Sequence, residues 1–130
     1  MDVIALAAAK QFSKKPSLQT YTEAVHTQED VSGEVTIDMA LANVHEWTVT
    51  GQVTQVTVTN VPSAGVASSL TLIVHRADPA HTINPPASAV FPDGIEPDMS
   101  TSNATHILTF VTVDGGSTWY GALVGEFPVS

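Results

Sequence analysis

The chain has 130 residues, which is enough for one domain with a single hydrophobic core and too short for a multidomain enzyme. Hydrophobic residues make up 43% and charged residues 13%, a composition typical of a compact globular protein. Four Lys and Arg residues stand against 13 Asp and Glu, and the net charge of −9 disfavours nucleic acid and membrane surfaces as partners. The absence of Cys excludes disulfides, thiolate nucleophiles and cysteine-ligated metals.

Residues 1–28 form a segment of different composition, which we interpret as an N-terminal arm. Ala, Leu and Lys dominate residues 2–15 and predict a short helix that ends at Pro16. A polar, extended linker follows through Asp30. A helix of roughly a dozen residues is marginal alone in water, so its apolar side chains need a partner surface. The residues predicted to anchor the arm to that partner are Val3, Ile4, Leu6, Lys10, Phe12, Lys14 and Lys15.

Residues 29–130 are rich in Val and Thr, the β-branched residues that favour strands. Breakers such as Gly51 divide this part of the chain into short segments. The predicted fold class is all-β, an antiparallel, jelly-roll-like β-sandwich carrying the N-terminal helical or extended arm. The predicted strands are Gly33–Met39, Glu46–Thr50, Val53–Thr59, Ser69–His75, Ile107–Val113 and Thr118–Val124.

Three local patterns add detail to this prediction. Leu70, Leu72 and Val74 alternate with polar residues and predict a strand with one buried face. The apolar phase slips within Gln52–Thr59, which indicates a β-bulge. The sequence Asp114-Gly115-Gly116-Ser117 predicts a hairpin, whereas Asp78–Thr105 shows almost no periodicity and predicts a long loop.

Chemical motifs are few. His75, Arg76, Asp78 and His81 could surround a metal or a substrate at a strand end, which gives a small metal-dependent hydrolase as a remote alternative. Mixed polar residues in a loop are more often merely solvated, so we predict no enzyme activity, no metal site and no cofactor.

Aromatic residues offer a second candidate site. Trp47, Trp119 and Tyr120 could stack on sugars, although large aromatics in a small β domain are usually core or interface residues. With Phe91, they form the set predicted to contact a receptor or another subunit.

Four segments carry a resemblance to a known family: Ser69-Leu70-Thr71-Leu72-Ile73-Val74, the run from Phe91 to Ser100, Ile107-Leu108-Thr109-Phe110, and Asp114-Gly115-Gly116-Ser117-Thr118-Trp119-Tyr120-Gly121. Their order and spacing resemble a β module of tailed-bacteriophage virion proteins, including tail-fibre, head-fibre and other surface-appendage subunits. The similarity covers roughly residues 46–125, and its final hairpin is the most specific part. Phe91 stands where the family often has Trp.

The resemblance implies a structural or adhesive role at the virion surface, frequently in trimers. The expected function is that of a capsid decoration or head-fibre subunit, with self, a capsid protein or a tail protein as partners. The alternative is a tail-fibre or receptor-binding tip that contacts host surface polysaccharide through Asp78–Thr105 and exposed aromatics.

Overall fold

The structure, a computed structural model, describes residues 20–77 and 81–129. These residues fold as an all-β domain, which confirms the predicted class, and include one short 3₁₀ turn at Pro92–Gly94. They hold no helix with the length and hydropathy to span a membrane. The strands are β1 (Val25–Asp38), β2 (Val44–Thr59), β3 (Ser68–Arg76), β4 (Ala89–Val90), β5 (Ala104–Thr112) and β6 (Trp119–Pro128).

The six strands form one mixed sheet in the order β1-β2-β3-β5-β6-β4. The β3–β5 and β5–β6 pairs are antiparallel, as predicted. The β1–β2, β2–β3 and β4–β6 pairs are parallel, so a purely antiparallel arrangement is wrong. The predicted arm residues Val3, Ile4, Leu6, Lys10, Phe12, Lys14 and Lys15 lie outside the described residues.

The parallel pairing of β1 with β2 requires both strands to double back. Val25 pairs with Val44 and Asp38 pairs with Thr59, yet only residues 39–43 connect the two strands. A straight 14-residue strand would span roughly 43 Å, whereas a connection of this length reaches only about 20 Å. The register shifts between Gln28 and Glu34 are the places where the direction changes. β1 and β2 therefore each have a first half and a second half with different directions.

One of these irregularities confirms the predicted bulge. Gly33 pairs with Val53 and the next residue, Glu34, pairs with Gln55, so Thr54 is the extra residue in β2. The segment 25–30, predicted as linker, belongs to β1, whose first half pairs with residues 44–47 of β2. Gly51, predicted to separate two strands, lies within the continuous β2.

A single core joins the two halves of β1 and β2 to the rest of the sheet. Its buried residues come from β1, β2, β3, β5 and β6 and from the connection after β1, and they contact one another as one cluster: Val31, Val35, Ile37, Met39, Trp47, Val49, Val53, Val56, Leu70, Leu72, Val74, Leu108, Phe110 and Trp119. The second halves therefore contribute to the same core as the inner face of the sheet.

Among residues 20–77 and 81–129, no strand or loop covers the opposite side of this sheet, which we call the outer face. It is formed by the alternate residues of the first halves of β1 and β2 and of β3, β5 and β6 that lie in register with one another. They are Val25, Thr27, Val44, Glu46, Thr48, Ser69, Thr71, Ile73, His75, Thr105, Ile107, Thr109, Val111, Tyr120, Ala122, Gly125 and Phe127, and exposed Glu29 continues the alternation of β1 opposite Thr48.

Candidate functional site

A hydrogen-bonded chain of four side chains crosses the outer face from β1 to β5. Thr27 Oγ1 lies 3.3 Å from Glu46 Oε1, and Glu46 Oε2 lies 2.8 Å from His75 Nε2. His75 Nδ1 lies 2.8 Å from Thr105 Oγ1. An ionised carboxylate only accepts hydrogen bonds, so the Nε2–H of His75 donates to Glu46. In the neutral imidazole Nδ1 then accepts the hydroxyl proton of Thr105.

The electrostatics of this chain favour an ionised Glu46. The hydrogen bond from His75 is the main cause that lowers the pKa of Glu46 below its usual value of 4.5. Both side chains remain accessible to water, with exposed fractions of 40% for His75 and 36% for Glu46. The pair is therefore screened by solvent, and its contribution to stability is small, as for other exposed polar pairs.

The order hydroxyl, imidazole, carboxylate matches the arrangement that activates a nucleophile in hydrolases. Acyl transfer also needs free N–H donors aimed at the developing oxyanion. Thr105 lies in β5, between β3 and β6, where the backbone N–H groups of the strand are engaged in the two ladders. Among the described residues, the arrangement of these four side chains thus fits a set of hydrogen bonds between neighbouring strands better than a catalytic group.

A second polar cluster lies on the inner side of the sheet, where β3 ends and β5 begins. The Arg76 guanidinium is 3% exposed and donates to the backbone carbonyls of His81 and Thr101, the latter at 3.4 Å. His106 is fully buried, and its Nε2 lies 2.9 Å from Glu126 Oε1. Two hydrogen bonds lower the pKa of Glu126. The bond with the Thr101 side chain has the larger effect, and the bond with His106 has the next largest.

This cluster holds the long segment between β3 and β5. The two carbonyls that Arg76 binds belong to residues near the two ends of that segment, so one buried guanidinium joins both ends to the sheet. Burial lowers the pKa of Arg76, while the charges of Glu126 and Asp98 oppose that shift. Arg76 therefore links His81 and Thr101, in a segment with almost no periodicity, to the end of β3.

The described members of the hydrolase hypothesis, His75, Arg76 and His81, do not all lie on one side of the sheet. His75 lies on the outer face and Arg76 on the inner side, because successive side chains of a strand point to opposite faces. His81 is near Arg76, and Asp78 lies outside the described residues. Among residues 20–77 and 81–129, no three His, Asp or Glu side chains are grouped closely enough to hold a metal ion.

The four predicted contact aromatics have different positions. Trp47 is fully buried, with its Nε1–H donating to Gln28 Oε1 at 3.1 Å, and Trp119 is 1% exposed. Phe91 is partly buried against Phe110, with ring centroids 6.1 Å apart in an edge-to-face arrangement. Tyr120 is 57% exposed on the outer face and is the member of this set most open to a partner.

The closing hairpin has a network of its own. The Oδ1 atom of Asp114 accepts hydrogen bonds from the Thr112 hydroxyl and the Thr118 N–H, both at 2.9 Å, and Thr112 Oγ1 accepts the Gly116 N–H at 3.0 Å. These bonds, chiefly that from the Thr118 N–H, lower the pKa of Asp114. Gly115 and Gly116 have φ of 72° and 86°, which confirms the predicted hairpin and its need for glycine.

The segments that carry the resemblance pack against each other. Ala89 and Val90 of β4 pair with Trp119 and Tyr120 of β6, and this places Phe91 over Phe110. Gly121 leaves room for both rings, since a Cβ there would lie 2.6 Å from Phe110 and 3.0 Å from Phe91. The aromatic-Pro loop, the β5 strand and the closing hairpin therefore form one packed unit.

Sequence reasoning did not find the roles of His106, Glu126 and the Glu46–His75 pair. A signal for His106 exists, because it shares the parity of Leu108 and Phe110 and is thus placed on the core face. The Glu46–His75 contact joins residues 29 positions apart and depends on the parallel pairing of β2 with β3.

No family model matches the chain, and neither the curated proteins nor the solved structures contain a match. The resemblance to bacteriophage virion modules therefore rests on the four sequence segments alone.

Proposed function

We propose that the protein is a bacteriophage virion structural protein, a capsid decoration or head-fibre subunit that docks through an N-terminal arm and presents an acidic β domain. Residues 25–28 of the predicted arm belong to β1, so the docking arm precedes Val25. The observation that supports this proposal is the packing of the motif segments into one unit. Phe91, Phe110 and Gly121 come from three separate motifs, and they are in contact. A chance similarity of unrelated segments would not require such complementarity.

The charge distribution is consistent with attachment through the N-terminal arm. Lys10, Lys14 and Lys15 are three of the four Lys and Arg residues, and the fourth, Arg76, is buried. The surface of the β domain thus lacks strong cations among its described residues and stays soluble around a particle. The arm offers the basic and apolar side chains with which a capsid or tail protein can pair.

Attachment by the arm requires burial of its apolar side chains. Ordering the backbone costs about 1–2 kcal/mol per residue, while full burial of a large apolar side chain contributes roughly 1.5–3 kcal/mol. Val3, Ile4, Leu6 and Phe12 supply that burial only if they enter a complementary groove.

The doubled-back β1 and β2, which share one core with the rest of the sheet, support a two-layered, sandwich-like domain beside this arm.

Deletion of residues 1–15 tests the proposal. We expect the truncated protein to keep the blue-shifted fluorescence of buried Trp47 and Trp119 and to lose binding to particles that lack the native protein. A matched control exchanges Lys10, Lys14 and Lys15 for Gln, which removes the charge and keeps the apolar side chains, and should weaken attachment and its salt dependence. Full attachment of the truncated protein would overturn the proposed docking.

A further inference from the structure

Two histidines lie side by side on the inner side of the sheet, at the start of β1 and β2. His26 of β1 is in register with His45 of β2, and His45 alternates with the outer-face residues of its strand. The ring centroids are 5.5 Å apart, with an edge-to-face angle of 66°. His45 is fully buried, whereas His26 is half-buried. The pair is separate from both polar clusters described above.

The ring of His45 has one nitrogen that forms a hydrogen bond and one that does not. Nε2 lies 2.9 Å from the carbonyl oxygen of Ala42, and a carbonyl only accepts, so Nε2 carries the proton. Nδ1 is buried and has no hydrogen-bond partner among the described residues. A second proton would go to Nδ1 and would create a buried cation without an acceptor. This charged form is costly as long as the ring stays buried.

The groups that surround His45 do not remove this cost. His26 is itself a base, and two protonated imidazoles at this distance repel each other. Asp38 is the nearby carboxylate, but its Oδ1 atom accepts a backbone N–H of the following turn at 2.9 Å and the side-chain amide of Asn60 at 2.8 Å. The connection between β1 and β2 carries no charged side chain, and β3 has Leu72 in register with His45. Burial lowers the pKa of His45, and the charge of Asp38 opposes that shift.

The first half of β1, residues 25–28, is the covering element that is held least firmly. It lies at the edge of the sheet formed by the described residues, and none of residues 25–30 is buried. The ladder with β2 shifts its register after Gln28, and Asp30 has a φ of 54°. A short edge segment with few buried contacts opens at a lower free energy than the core. The break after Gln28 provides a point at which such an opening can end.

The connection on the other side of His45 is held more firmly. The carbonyl of Asn43 accepts the N–H of Thr71 at 2.9 Å, and the Asn43 side-chain amide donates to the carbonyl of Ser69 at 2.8 Å. Met39, at the other end of the connection, is buried and donates its N–H to the carbonyl of Thr59 at 3.0 Å. Water therefore reaches His45 most easily by displacement of the first half of β1.

We propose that the His26–His45 pair makes the start of β1 sensitive to acid: protonation of His45 at Nδ1 detaches residues 25–28 from β2, while the rest of the sheet stays folded. Detachment hydrates the new cation and separates the two rings. It also adds residues 25–30, about 20 Å of extended chain, to the segment that precedes the domain. This inference concerns the isolated chain and does not rest on the proposed virion role.

Amide hydrogen exchange of the full-length protein, followed by NMR from about pH 7.5 to about pH 5, tests the proposal. Exchange is expressed as protection relative to the unfolded chain, because the intrinsic exchange rate itself depends on pH. We expect protection of the ladder amides in residues 25–28 to fall by up to about tenfold per pH unit below 6.5, and protection in β3 to stay constant. The indole N–H of Trp47, which donates to Gln28, should shift in the same pH range, with that of Trp119 as the internal reference.

Three variants separate the acid-sensitive contact from a general effect of pH. His45→Gln keeps a donor for the Ala42 carbonyl and takes up no proton, so the pH dependence in residues 25–28 should disappear. His26→Gln, at the half-buried position, should make the dependence shallower and serves as the second variant if His45→Gln does not fold. His81→Gln is the matched control, because it removes a half-buried histidine near Arg76 and should leave the dependence unchanged.

The proposal would be overturned by constant protection of residues 25–28 in the wild type. Equal pH dependence in the wild type and His45→Gln would also overturn it, as would equal dependence in the wild type and His26→Gln if the first variant does not fold. A loss of protection spread evenly over β1, β3 and β5 would show that acid unfolds the whole domain and would likewise contradict a local detachment.

Discussion

Gly121→Ala tests the packing that supports the proposed function. Gly121 lies in β6 opposite Phe110, and the new Cβ would be 2.6 Å from Cδ1 and Cε1 of that ring and 3.0 Å from Cε1 of Phe91. Phe110 is 1% exposed and belongs to the core, so its ring cannot move into solvent. We expect a loss of about 2–3 kcal/mol in the free energy of unfolding, as for other overpacked cores.

Gly125→Ala is the matched control in the same strand. Its Cβ would lie 3.1 Å from the far end of the Phe127 ring, and Phe127 is 48% exposed and free to turn aside. A surface substitution of this kind changes stability by about 0.5 kcal/mol or less. The double variant Gly121→Ala/Phe110→Leu should recover part of the loss, because the smaller side chain makes room for the new methyl group.

Denaturant unfolding followed by the fluorescence of Trp47 and Trp119 measures these differences. All variants are compared at one low protein concentration, because association adds to apparent stability. Equal stabilities of Gly121→Ala and Gly125→Ala would refute the contact between the closing hairpin and the Phe91 loop.

Three further predictions follow from buried or paired polar groups. Burial lowers the pKa of His45 below 6.5, so at lower pH the unfolded chain binds more protons than the folded chain. The free energy of unfolding should therefore fall as the pH drops below 6.5. Equal slopes of this free energy against pH in His45→Gln and in the wild type would contradict the prediction. The pKa of Glu46 is lowered, chiefly by the hydrogen bond from His75, so the contribution of Glu46 to stability is present above pH 4.5 and lost below it. Glu46→Gln should lower the free energy of unfolding by less than about 1 kcal/mol near neutral pH, as measured by denaturant titration. Arg76→Met should lower the free energy of unfolding by about 2–4 kcal/mol, because the carbonyls of His81 and Thr101 lose their donor. Amide hydrogen exchange should become faster across residues 81–101. Unchanged exchange would show that Arg76 does not hold this segment.

The local structure of the domain could be read from the sequence because it depends on nearest neighbours. The alternation of Leu70, Leu72 and Val74 is the observed burial pattern of β3. Gly115 and Gly116 have the positive φ that the hairpin requires, and Thr54 is the extra residue of the predicted bulge. Each of these features follows from the steric properties of a few consecutive residues.

The pairing of the strands could not be read in the same way. A connection as short as residues 39–43 ordinarily joins antiparallel strands, and here it joins parallel ones because β1 and β2 double back. The segment from Val25 to Gln28 has no clear hydrophobic pattern, and its strand conformation comes from the ladder with β2. The Glu46–His75 pair depends on that long-range register and was therefore not predicted.

The aromatic side chains also differ in how deeply they are buried, and composition does not show this difference. Trp47 and Trp119 fill the core, whereas Tyr120, next to Trp119 in β6, points to the outer face. The alternation of a strand decides this difference, and it follows only once the boundaries and parity of β6 are known.

Gold labelling of intact phage particles with an antibody to residues 31–130, viewed by electron microscopy, tests the virion role most directly. Label over the head is the result that we predict for a capsid decoration or head-fibre subunit. Label at the tail tip would instead favour the receptor-binding alternative and direct attention to Tyr120 and the segment between β3 and β5. Absence of label from every particle would contradict a role at the virion surface.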